Sequence, residues 1–199
     1  MREFGALLLF VFISIQIAVA QRNELAVTIG GKFTPTGGFN IDPSFAIEGS
    51  YAGRLIHVPL AGLYFELPVA AGLKSSSSNP NSCEAIVSPL CNGTSFTTSA
   101  LFVAPGVKLK LGPELPVSPY FTVGGGLAHF RGGDNIGNIT TNNTNTVQFG
   151  GGMDFKMAPF ISFRGEVRDF YSDIAFTRVI GRNTRQHNIF TTAGIVLRF

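Results

Sequence analysis

The last eleven residues, Ile189-Phe190-Thr191-Thr192-Ala193-Gly194-Ile195-Val196-Leu197-Arg198-Phe199, carry the pattern that decides the fold. Counted back from Phe199, the residues Leu197, Ile195, Ala193, Thr191 and Ile189 share one side of an extended chain. Arg198, Val196, Gly194, Thr192 and Asn188 share the other. Successive side chains of a strand point to opposite faces, so this segment reads as a strand with one face fit for lipid and one that is not.

The same alternation predicts seven more strands, near residues 24–33, 44–55, 62–72, 98–111, 119–131, 146–157 and 160–171. Their apolar faces carry residues such as Leu25, Val27, Ile47, Phe65, Leu67, Val107, Phe121, Val123, Phe149, Phe155 and Phe163, with no charged position among them. The opposite faces collect Lys32, Glu48, Arg54, Glu66, Lys108, Lys110, Asp154, Lys156, Arg164, Glu166, Arg168 and Arg198. A soluble barrel of lipocalin type would turn the apolar face inward, whereas a membrane barrel inverts the arrangement. Alternation alone does not choose between them.

The connections, together with the last residue, favour the membrane, and the N-terminus marks export. Polar stretches rich in Ser, Asn, Gly and Thr span 74–97, 132–145 and 172–186, while the links at 57–60, 112–118 and 158–159 are short and contain proline. Long loops at one end and tight turns at the other are the outer-membrane pattern. Arg2, the apolar run Ala6 to Val19 and the small-x-small Ala18-Val19-Ala20 predict a signal peptide over residues 1–20, with the mature barrel at 21–199. That run is shorter than the roughly 20 residues a spanning helix needs. Charged residues are only 14%, against 24 Gly and 19 Phe, yet no later apolar run approaches helix-spanning length. The net charge of +3 is too mild, and its residues too scattered, to argue for nucleic acid.

Two cysteines, Cys83 and Cys91, lie in the polar connection after the third strand. In an exported protein they are expected to form a disulfide in an extracellular loop. They are too few for a metal site.

The whole mature chain resembles the small outer-membrane β-barrel superfamily, whose familiar member is the transmembrane domain of outer-membrane protein A. The specific element is the C-terminal strand ending in Phe199, with Leu197 and Ile195 at alternate positions before it. The resemblance implies that Ile195, Leu197 and Phe199 form the signal read by the barrel-assembly machinery. It also implies a place in the cell outer membrane, among its lipids and lipopolysaccharide. The expected fold is all-β: a closed antiparallel up-and-down barrel of about eight strands, monomeric.

The chemistry-bearing motifs are few. Gly124-Gly125-Gly126 and Gly150-Gly151-Gly152 lack the spacing and the Lys-Ser/Thr of a phosphate loop, so they read as strand glycines that leave room inside a narrow barrel. A hairpin centred near Asn138 would set Gly125 against Gly151 and Leu127 against Phe149. The turn at Ala158-Pro159-Phe160 would set Asp154 opposite Arg164 and Phe155 opposite Phe163. An internal charge network of Glu48, Arg54, Glu66, Asp154, Lys156, Arg164, Glu166 and Arg168 follows, since a narrow barrel cannot hold unpaired charges. His57, His129 and His187 are dispersed and have no nucleophile motif beside them, so no catalytic, cofactor or metal residue is assigned. The expected role is structural, with loops displayed for surface interaction. A lipid A-modifying enzyme, a narrow pore and a secreted lipocalin-like carrier are the rivals, the last weakened by the absence of tryptophan.

Overall fold

A computed structural model describes residues 23–36, 39–77, 96–133, 139–173 and 185–199. The proposed signal peptide and both cysteines lie outside these residues. The strands are β1 (Asn23–Thr36), β2 (Phe39–Val58), β3 (Ala61–Ser77), β4 (Phe96–Val103), β5 (Gly106–Leu111), β6 (Val117–Gly133), β7 (Ile139–Ala158), β8 (Ile161–Asp173) and β9 (Arg185–Arg198). All described pairings are antiparallel, consecutive barrel strands lie side by side, and β9 returns to β1 to close the sheet.

β4 and β5 are two halves of one barrel strand, so the barrel has eight. Both halves pair with β3 on one side and β6 on the other, in a register that continues across the break. The break falls at Ala104-Pro105. Proline brings no N–H to the ladder, but its carbonyl still accepts from Gly125 N (3.1 Å).

Following partners from Asn23 through Gly53, Phe65, Val107, Val123, Phe149, Asp169 and Ile189 returns to Phe33, ten residues along the strand where it began. With eight strands, this stagger tilts them by about 40° and leaves an interior just wide enough for side chains to fill. Inward glycines let the wall close tightly. A Cβ on Gly194 would lie 2.0 Å from Val27 O, and one on Gly126 2.0 Å from Val103 O. At the tight turn between β5 and β6, Gly112 takes φ +52°, open to glycine at little cost, and its carbonyl accepts from Ser118 Oγ (2.6 Å).

Two sequence expectations are corrected. The β6–β7 hairpin sets Gly125 against Val147, Phe121 against Gly151 and Leu127 against Asn145, so the triple glycines are offset and not abreast. The strands also run further toward the loop end than expected: β6 reaches Gly133 and β7 begins at Ile139, within the polar stretch read as loop. Polar β-branched threonines such as Thr141 and Thr144 hold strand geometry there without an apolar face, and polarity alone had signalled a loop. The Asp154–Arg164 and Phe155–Phe163 pairings are as expected.

The outside is apolar. Val27, Phe45, Phe121, Val123, Phe149 and Val167 are all exposed, Phe121 at 62%. Inside, Arg168, Lys108, Lys110, Glu66 and Asp154 have no exposure. Such an inversion is unstable in water and stable in lipid, where closure also satisfies every strand edge.

Candidate functional site in the barrel interior

The interior divides into two layers. The layer nearest the turns is ionic, and it is built by strand alternation from every side of the barrel. Lys108 Nζ lies 3.1 Å from both Glu24 and Glu66. Lys110 contacts Glu24 (2.5 Å) and Asp154. Arg164 donates through Nε to Asp154 Oδ1 (2.8 Å) and through Nη2 to Glu24 Oε2 (3.2 Å), with its guanidinium 4.7 Å from the centre of the Tyr120 ring. Arg198, at the turn end, lies 3.7 Å from Glu24 and 3.6 Å from Asp154.

Arg168 organises the upper part of this layer. It approaches Glu48 (3.1 Å), Glu66 (3.2 Å) and Glu166 (3.1 Å), and donates to Gln148 Oε1 (2.7 Å). Thr122 Oγ1 donates to Glu66 (2.7 Å) and the Tyr120 hydroxyl donates to Glu166. The Arg168 Nε hydrogen points at Glu166 Oε1 (3.1 Å), so its approach to Glu48 is ionic without a hydrogen bond. Both Glu48 oxygens lack a donor among the described residues. Five acids (Glu24, Glu48, Glu66, Asp154, Glu166) thus meet five bases (Lys108, Lys110, Arg164, Arg168, Arg198) in the layer, and Glu48 is the one acid of the five without a hydrogen-bond donor among the described residues. Removing one partner from such a set strands a charge away from water.

Glycines make this layer fit. A Cβ at Gly152 would come 2.7 Å from the Tyr120 hydroxyl, and one at Gly124 2.9 Å from Gln148 Nε2.

The second layer, nearer the loops, is aromatic. Phe102 stacks on Phe170 (centroids 4.7 Å) and meets Phe130 and Phe190 edge-on, each at 5.6 Å. Phe170 and Phe190 also meet edge-on at 5.2 Å, and Ala46, Ala70, Ala100, Ala104 and Ala128 pack around them. These geometries suit the ring quadrupole. The four rings pack against one another across the lumen above the ions.

Of the expected charge network, Glu48, Glu66, Asp154, Arg164, Glu166 and Arg168 are buried together. Arg54 stands apart at the turn end, 3.8 Å from the exposed Glu114. Lys156 is half-buried at the same rim. Glu24 was missed, because it sits at the first residues of β1, where alternation has barely begun, although its partner in β9 is Arg198. The phenylalanine layer was missed as well. Its signal was parity: Phe102, Phe170 and Phe190 share the faces of inward charges on their barrel strands, and Phe130 shares the face of Tyr120, Thr122 and Ala128, none of them on the face of lipid residues.

The histidines sit outside the lumen. His129 Nδ1 contacts Asn143 Oδ1 (2.5 Å), and His187 Nδ1 contacts Asp169 Oδ2 (2.5 Å) with its ring against Tyr171. Asp169 Oδ1 accepts from Asn188 N (3.1 Å). At the closure seam, Asn23 N donates to Phe199 O (2.9 Å) and Phe199 N to Asn23 O (3.0 Å), while the Phe199 ring is exposed.

Comparison of the chain with known structures gives a barrel of the same kind. Neisserial surface protein A superposes with a TM-score of 0.58 at 13% identity, over 89% of this chain and 97% of that one. The fold is that of the small outer-membrane β-barrels. A major outer membrane protein of Thermus thermophilus also matches, with a TM-score of 0.52 at 14% identity, over 89% of this chain and 99% of that one. No protein-family model matches the sequence, and no curated protein matches it. For an outer-membrane barrel, the short turns mark the periplasmic end and the long connections the outer one.

Proposed function

We propose that this chain is a closed, non-conducting and non-enzymatic barrel of the bacterial outer membrane, exported by residues 1–20 and serving as a rigid support for surface interactions at its loop end. One observation carries the reading: among the described residues, paired ions and then the packed rings of Phe102, Phe130, Phe170 and Phe190 occupy the lumen. A carrier needs a cavity and a pore needs a continuous path. Beyond the apolar band, β6 and β7 continue as a hairpin whose outward residues include His129, Arg131, Thr141 and Asn143, a polar ridge suited to contact outside the bilayer.

The test is conductance. Purified full-length protein in a planar bilayer is expected to give no steady channels, and regular unitary conductance would sink the closed-barrel reading. Assembly has its own test. Phe199 closes the seam with Asn23 by backbone bonds alone, so Phe199→Ala keeps those bonds. If its ring is the assembly signal, the variant lowers the heat-modifiable folded band in cells while refolding normally in vitro.

A further inference from the structure

Inward glycines of this barrel are required by their surroundings: a Cβ on Gly30, Gly106, Gly126 or Gly194 would lie 2.0 to 2.2 Å from a carbonyl oxygen of the facing strand. Gly165 is different. It faces outward on β8, opposite Met153 on β7 and Ala193 on β9, and a Cβ there meets nothing within 4 Å. Glycine in a strand costs backbone entropy and offers no side chain to pack. On a lipid-facing wall, valine or leucine would fit the same backbone and bury more apolar surface.

The empty position forms the floor of a groove of about 470 Å³ on the outer wall of β6, β7 and β8. Gly151 and Gly165 form its base, and Phe121, Met153, Phe155 and Val167 rise around it. All four walls are exposed on the apolar band, so the medium that fills the groove is the hydrocarbon of the membrane. The groove reaches toward the turn end, where Phe155 pairs with Val117, the first residue of β6. That end lies in the periplasmic leaflet of an outer-membrane barrel.

We propose that this groove is a binding site for one acyl chain of a phospholipid in the periplasmic leaflet. The chain lies against the backbone of Gly151 and Gly165 and is held from the sides by Phe121, Met153, Phe155 and Val167. It makes contacts on more sides than a lipid on the convex wall, and dispersion grows with the number of close atom pairs. The bound lipid therefore exchanges more slowly than its neighbours.

The experiment uses full-length protein reconstituted with phosphatidylethanolamine and phosphatidylglycerol, transferred to detergent and read by native mass spectrometry. Wild type is expected to retain one phospholipid per monomer. Gly165→Leu, which fills the groove without striking the protein, should lower the retained fraction at least about tenfold. Gly165→Ala adds a single methyl in open space and should give a smaller loss, which keeps the test intact should the leucine variant assemble poorly. Gly125→Leu is the control, an outward glycine away from the groove whose Cβ would make only an ordinary 3.7 Å contact; it should retain lipid as wild type does. Equal retention in wild type and both Gly165 variants would overturn the proposal. So would a wild-type dimer that Gly165→Leu turns into monomers, since the groove would then hold a second barrel.

Discussion

The two layers of the lumen fill the same narrow tube with opposite chemistry. In the turn-side layer each side chain depends on partners from other strands: Glu24, near the start of the chain, is held by Lys108, Lys110 and Arg164. In the loop-side layer Phe102, Phe130, Phe170 and Phe190 need only shape. Charge pairing fixes which strands meet and in what register, but is intolerant of losing a partner. Ring packing fills its part of the tube and adapts. The barrel thus takes its specificity from one end and an adaptable packing from the other.

The largest effect should come from breaking the ionic layer at its centre. Arg168→Leu would leave Glu48, Glu66 and Glu166 crowded without their guanidinium, a loss of about 3 to 5 kcal/mol or more. Urea titration of the folded band in lipid vesicles measures it. Arg168→Lys should recover part of the loss, and equal midpoints for the two variants would mean that the layer is hydrated.

Next comes the aromatic layer, where Phe102→Leu should cost about 1 to 3 kcal/mol, from a partly filled cavity and the loss of three ring contacts. A cost matching that of Arg168→Leu would erase the contrast between the layers. Glu48→Gln is expected to shift stability by no more than about 1 kcal/mol in either direction, since the carboxylate it replaces has no hydrogen-bond donor. A drop as large as that of Arg168→Leu would show Glu48 to be an essential anion. Smallest of all, Arg54→Ala should change the stability read from urea titration by less than about 0.5 kcal/mol, because its partner Glu114 is 56% exposed.

The phenylalanine layer was as legible as the charges once parity is applied: Phe170 shares a face with Arg164, Glu166 and Arg168, and Phe190 with Thr192 and Arg198. An apolar side chain on the inner face of a membrane strand breaks no rule, whereas a charge on the outer face would, so the ring layer stands out less than the ions. The β6–β7 register was not legible. Its threonines and asparagines give no amphipathic contrast, and without contrast a four-residue shift leaves the same faces in place. The asymmetry of the glycines was also hidden. Parity puts Gly194 on the inner face and Gly165 on the outer one, but only the facing strand shows that a Cβ would collide at Gly194 and meet nothing at Gly165.

By itself the sequence determined that these strands alternate, which face meets lipid, which charges turn inward, and that short turns join them at one end, because each follows from side-chain periodicity and local turn chemistry. Only the tertiary structure decided the ten-residue stagger, the partner of each charge, the packing of four rings and the groove beside Gly165. These depend on distances between residues far apart in the chain, and closure of the sheet, not any local preference, sets those distances.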